Sequence, residues 1–214
     1  MCSDATERRA PSKAPTAGRS FIETARRRQL IDAAVATVNE IGYHRASLAE
    51  IAKRANIAKS AVVYYFASKE ALLLELVETV FAALGEAVLT SVDGVESPAA
   101  RLRAYAEAYL AHVDADRHAI VAAVEIVISH RTADGTPLYL IEDDQDTALL
   151  RSILAAGMED GTFRTMPIGV ATGLAESVLD RAITLVQRAP QSDLGELRAH
   201  ALPFLFRALG VAHV

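Results

Sequence analysis

Apolar residues recur along this chain at helical intervals, and no stretch shows the alternation of a strand. Leu30, Ala34, Val38 and Ile41 fall on one face of a helix, and Leu72, Leu76, Val80 and Leu84 on one face of another. Cap signals punctuate these stripes. Ser20 with Glu23 and Ser47 with Glu50 have capping-box spacing, and Gly42 stands where a helix ends in a left-handed residue. The first helix is therefore predicted from near Ser20 to Gly42, with Arg26, Arg27 and Arg28 on its polar side. A short helix from Ser47 turns Leu48, Ile51, Ala52 and Ala55 inward. Asn56-Ile57 makes a tight turn, since Asn tolerates positive φ. A third short helix covers 58–65, and Ser68 caps a fourth.

The remaining pattern is also helical. Ser97-Pro98 is a cap followed by proline at the first helical position, and the helix it opens carries Leu102, Tyr105, Tyr109 and Val113. Further helices are predicted over 116–131, 138–157, 168–188 and 193–209. Loops at 132–137 and 159–164 separate some of them. Asp193 and Glu196 form a cap pair, and Pro203 should split or kink the last helix near 199–202. No repeat of 20–50 residues is present. The fold class is all-α.

Composition narrows the function. The lone cysteine, Cys2, excludes an internal disulfide framework and a cysteine-cluster zinc site. No apolar run reaches 18 residues and the N-terminus has no signal-like apolar stretch, so the expectation is a cytoplasmic protein without membrane association. His112, His118 and His130 lack the spacing of metal ligands, so no metal or other cofactor is expected. The net charge of −5 hides a split: residues 1–70 carry 12 basic and 7 acidic side chains, and residues 71–214 carry 10 and 20. A basic amino-terminal part on an acidic body suits a nucleic-acid partner, while the competing reading is a chance difference between solvated faces. Residues 1–19, with Arg8, Arg9, Lys13 and Arg19, show no apolar period and read as a flexible basic arm, with or without a role on DNA.

Two short helices on a tight turn, braced by a longer one, are the outline of a helix-turn-helix. In that motif one helix enters the major groove while its partner crosses the backbone. Here Val62 and Phe66 have the spacing to pack the second short helix on its support. Ser60 and Ala61 are small enough to let the backbone approach base edges. Lys59 supplies charge for a phosphate or a guanine edge, Tyr64 and Tyr65 carry phosphate-bonding hydroxyls, and Lys69 lies one turn into the next helix. Ser47 presents a hydroxyl and a helix N-terminus to another phosphate.

The stretch from Ser47 to Leu73 resembles the TetR family of transcriptional regulators. Ile51-Ala52, Ala55, Tyr65-Phe66 and Ser68-Lys69-Glu70 with Leu72 carry the likeness, which is strong over about residues 24–75. Beyond that, only length, helix count and helix order agree. Asn56 replaces the usual turn glycine, Ser60 a frequent glycine, and Val63 a common tyrosine. Ala58 replaces a serine cap, worth about 1 kcal/mol. The resemblance implies an arm over 1–19, a DNA-binding domain over 20–67, and a ligand-binding and dimerisation domain over 68–214. It implies a homodimer that places two recognition helices in the major groove of a pseudo-palindromic operator. It further implies a repressor released by a small-molecule effector, with helix four as the mechanical link. The last two helices would form the dimer interface. Their stripes are Leu174, Val178, Ala182, Leu185 and Val186, and Leu197, Ala201, Phe204, Leu205 and Ala208; the competing reading places both in the monomer's own core.

The effector pocket is less legible. Tyr105, Tyr109 and His112 share one side of a helix. Glu125 is the one charge in an otherwise apolar stretch, as a ligand anchor or as the partner of an arginine such as Arg151 or Arg181. The acidic run Glu142-Asp143-Asp144-Asp146 reads as a solvated face. No catalytic motif stands out, so an enzyme is not expected. An activator of the same fold, or an architectural DNA-binding protein without effector, remains the alternative.

Overall fold

The computed structural model describes residues 17–141 and 147–211, the side chains from residue 21 onward. The expected arm thus lies outside the described residues up to residue 16. Ten α-helices are described: α1 (Ala17–Ile41), α2 (Leu48–Arg54), α3 (Lys59–Tyr65), α4 (Lys69–Val92), α5 (Pro98–Ala115), α6 (Arg117–Ser129), α7 (Ala148–Glu159), α8 (Ile168–Leu179), α9 (Arg181–Arg188) and α10 (Gly195–Ala208). Among the described residues the one extended pairing is an isolated bridge between Arg131 and Pro137. The chain is all-α.

Local chemistry sets most boundaries. Ser47, Ser68 and Ser97 each accept a hydrogen bond from the backbone N–H three residues on, and Pro98 occupies the first turn of α5. Gly42 ends α1 at φ +82°, and Asn56 makes the α2–α3 turn at φ +55°. The stripe Leu30, Ala34 and Val38 of α1 is fully buried. Helix α4 runs out of the three-helix head and along α5 and α6, burying Leu72, Leu76, Val80, Leu84 and Val88. Helix α7 lies between α5 and α8, and α10 packs on α5 and α8. Gly157 of α7 lets the buried Phe163 ring come close, since a Cβ there would lie 2.1 Å from Phe163 Cδ2.

Five boundaries differ from the sequence expectation. Helix α1 already runs from Ala17, so Ser20 is an interior residue and not a cap. The helix predicted over 138–157 is instead a 3-10 turn (Leu138–Leu140) and the later α7. The acidic run Glu142-Asp143-Asp144-Asp146, expected as a solvated face, lies outside the described residues. The helix predicted over 168–188 is interrupted at Asp180, whose carboxylate accepts a hydrogen bond from Tyr109 Oη. Asp193 accepts from Gly195 N at 2.8 Å, so α10 starts at Gly195 without the expected box to Glu196. Pro203 does not split α10. The carbonyl it leaves without an intrahelical donor belongs to Ala199, an exposed residue where water can take the bond.

Candidate nucleic-acid interface

Helix α3 has two faces. Val62 and Phe66 are buried, and the helix packs on α2 and α1. Lys59, Ser60, Val63 and Tyr64 point to solvent, Tyr64 at 80% exposure. Ala61 and Tyr65 are half-buried, and the Tyr65 ring meets the Tyr64 ring edge-on at 5.0 Å between centroids. Ala58 precedes α3 without a side-chain cap, so the first N–H groups of the helix have no side-chain acceptor there. The hydroxyl of Ser47 is used as the α2 cap, accepting from Glu50 N at 3.2 Å.

The rest of the head holds this face outward. Gln29 Nε2 donates to Ala55 O at 2.9 Å, tying α1 to the end of α2. Arg27 bonds Glu75 of α4 at 2.7 Å and lies 5.0 Å from the centre of the Phe66 ring. Of the cluster expected on α1, Arg27 is thus committed to packing and Arg26 bonds Gln29, while Arg28 is exposed. Sequence reasoning gave no role to Arg45, an exposed cation two residues before the Ser47 cap; only its place beside that helix start marks it.

Lys69 is placed differently from a free phosphate contact. Its Nζ donates to Tyr43 O at 2.6 Å and lies 4.5 Å from the Tyr43 ring centre. Burial pulls the Lys69 ammonium below the ordinary lysine value, against the pull of neighbouring Glu70. Tyr43 also donates its backbone N–H to Glu125 Oε1 at 2.6 Å, and its hydroxyl lies 2.9 Å from His130 Nδ1.

Tyr105 and Tyr109 are buried and stacked, with ring centres 6.4 Å apart. Burial pushes the Tyr105 hydroxyl up to about 12, and burial together with Asp180 raises Tyr109 further. The Nε2 of His112 is buried without a hydrogen-bond partner. Glu125 is not with them. It lies at the junction of α6 with the end of α1, and the bond it makes is to Tyr43, not to Arg151 or Arg181. Two open grooves mark the body. One of about 550 Å³ is lined by Leu89, Val92, Asp93 and Arg101, and one of about 640 Å³ by Arg151, Ser152, Met158 and Ile168. Neither is lined by Tyr105, Tyr109, His112 or Glu125.

The residues expected at a dimer interface also separate. Ala182, Ala201 and Leu205 are in the monomer's core, and Val178, Leu185 and Leu197 are partly buried against it. Leu174 and Phe204 face solvent at 58% and 61% exposure, with Val170 exposed one turn before Leu174. Among the described residues no helix is long and apolar enough to cross a membrane, and no group of three or more His, Cys, Asp or Glu side chains could hold a metal ion.

An exposed short helix, seated by two apolar anchors and joined by a tight turn to a capped partner, defines a helix-turn-helix protein with a helical body. Residues 30–76, within this head, match the family model described as bacterial regulatory proteins, tetR family. The transcriptional regulator BetI of Yersinia pestis (strain Pestoides F) is 46% identical over 84 residues, 38% of this chain and 42% of that protein. BetI of Serratia proteamaculans (strain 568) is 43% identical over 81 residues, 37% of this chain and 41% of that one. The matched stretch therefore spans less than half the length of these relatives. Among solved structures, the fatty acid degradation regulator FadR from Bacillus halodurans aligns over 88% of this chain and 97% of its own, with a TM-score of 0.73 and 23% identity. FadR from Bacillus subtilis in complex with stearoyl-CoA aligns over 87% and 99%, with a TM-score of 0.69 and 21% identity. At these identities the likeness is one of fold.

Proposed function

We propose that this chain is a ligand-responsive transcriptional regulator, a repressor that binds a pseudo-palindromic operator as a homodimer and is released by a small-molecule effector. The observation that carries this reading is the outward face of α3, where Lys59, Ser60 and Tyr64 stand clear of the fold. Ala61, Tyr65 and the α2 start at Ser47 flank that face. Lys69 serves from beneath by holding Tyr43. The arm ends where α1 begins at Ala17, the reading head runs from there to residue 67, and the ligand-binding, dimerising body takes 68–214. Leu174 and Phe204 bury their exposed surface against a second copy, with the other residues of both stripes supporting them from within. The effector enters the body near Tyr105, Tyr109 and His112; Glu125 acts elsewhere. A fold neighbour in complex with stearoyl-CoA makes acyl-CoA a reasonable first probe. The protein acts in the cytoplasm, where its DNA is.

A footprint on the DNA upstream of the chain's own gene tests this. Two protected half-sites about one helical turn apart, ~34–36 Å, are expected. Diffuse protection without a repeat would support an architectural DNA-binding protein instead. A promoter fusion separates repression from activation by the sign of the change. Replacing Lys59 with Ala should weaken binding to all duplexes and flatten the salt dependence by about 0.9 for each phosphate that is no longer neutralised. An unchanged slope would remove Lys59 from the interface.

A further inference from the structure

Tyr43 ties the head to the body in a way the covalent link does not require. The chain passes from head to body once, at Ser68, where α4 begins. Phe66, just before it, is extended at φ −133° and ψ 115°. A head held there alone would pivot on the residues between α3 and α4.

Helix α6 supplies a second attachment along its whole length. At its start, His118 O accepts from Asn39 Nδ2 at 2.9 Å. Two turns on, Glu125 Oε1 accepts from Tyr43 N at 2.6 Å. At its end, His130, only 6% exposed, places Nδ1 2.9 Å from the Tyr43 hydroxyl. The two sides are in contact, since a Cβ on Gly42 would lie 3.4 Å from Glu125 Oε1. Lys69 closes it from α4 by bonding the Tyr43 carbonyl at 2.6 Å. Every polar group of Tyr43 is thereby taken up, its N–H and hydroxyl by α6 and its carbonyl by α4.

We propose that Glu125 and His130 are positioning residues for DNA reading: through Tyr43 they set the angle of the head on the body. In a homodimer that angle sets the distance between the two recognition helices. The inference rests on the dimeric reading above and adds to it the residues that make head and body one lever. Two attachment points remove the pivot, so that a change in the body moves the head with it and alters the spacing of the heads.

The test uses the full chain. Wild-type protein enriches a duplex from a random double-stranded pool, and a second duplex carries one half-site scrambled. Fluorescence anisotropy then compares Tyr43→Phe, Glu125→Ala and Glu125→Gln with wild type on both. Tyr43→Phe and Glu125→Ala should weaken binding at least fivefold on the palindrome and stay within twofold on the single half-site. Glu125→Gln keeps an acceptor oxygen and should recover most of the affinity. Unchanged palindrome affinity would overturn the inference, and so would an equal weakening on both duplexes, which would place the damage inside the head. A wild-type protein that enriches no palindrome would instead sink the dimeric reading and this inference with it.

Discussion

Asp180 shows how one residue shapes both the path of the chain and its response to pH. Its carboxylate is held by the hydroxyl of buried Tyr109, and a helix that apolar spacing runs unbroken through this point stops and restarts there. Burial raises the Asp180 carboxyl above its ordinary value, and the bond from Tyr109 pulls the other way. A folded-state value above the unfolded one stabilises the protein while pH stays below the unfolded value, and that contribution is lost as pH rises through the folded one. Once ionised, the buried side chain is therefore a cost. Asp180→Asn, which keeps an acceptor for Tyr109, should melt higher than wild type at pH 7 and lose that advantage near pH 4. Thermal melts across that range check it. A variant less stable at pH 7 would mean that the charged hydrogen bond outweighs the burial.

At the scale of elements, the short helices of the head depend on their ends. Seven residues make too short a helix to persist in isolation, so α2 and α3 rely on caps and tertiary anchors. Helix α2 has Ser47; α3 starts at Ala58 with no side-chain cap, although the extended backbone there suits one. Ala58→Ser should add about 1 kcal/mol of stability, a rise in melting temperature of about 2–4 °C for a chain of this size. Calorimetry on the full chain reads it, and no rise would show that water already satisfies those N–H groups. The caps at Ser47, Ser68 and Ser97 are legible in the sequence because each is a local pattern of three or four residues. The break at Asp180 is not, because the group that meets its side chain, Tyr109, lies 71 positions away.

At the scale of the molecule, the proposed function rests on the exposed apolar surface and the head–body seam. Leu174 and Phe204 leave large side chains in water on α8 and α10, where two copies would meet. Leu174→Asp combined with Phe204→Asp should give a monomer in analytical ultracentrifugation while circular dichroism stays helical, because neither side chain supports the monomer's core. A dimer that survives both changes would move the interface elsewhere.

The sequence by itself determined the all-helical class, the helix-turn-helix outline and, on α3, the outward Lys59, Ser60 and Tyr64. These follow from periodicity and cap chemistry, which act over a few residues. Only the tertiary structure decided that Lys69 is spent on Tyr43 and that Glu125 belongs to the seam with α1, not beside Tyr105 and Tyr109. It also divided the two C-terminal stripes between core and surface. Each of those outcomes depends on which distant groups meet, and a helical period gives the face a residue occupies but not the partner across from it.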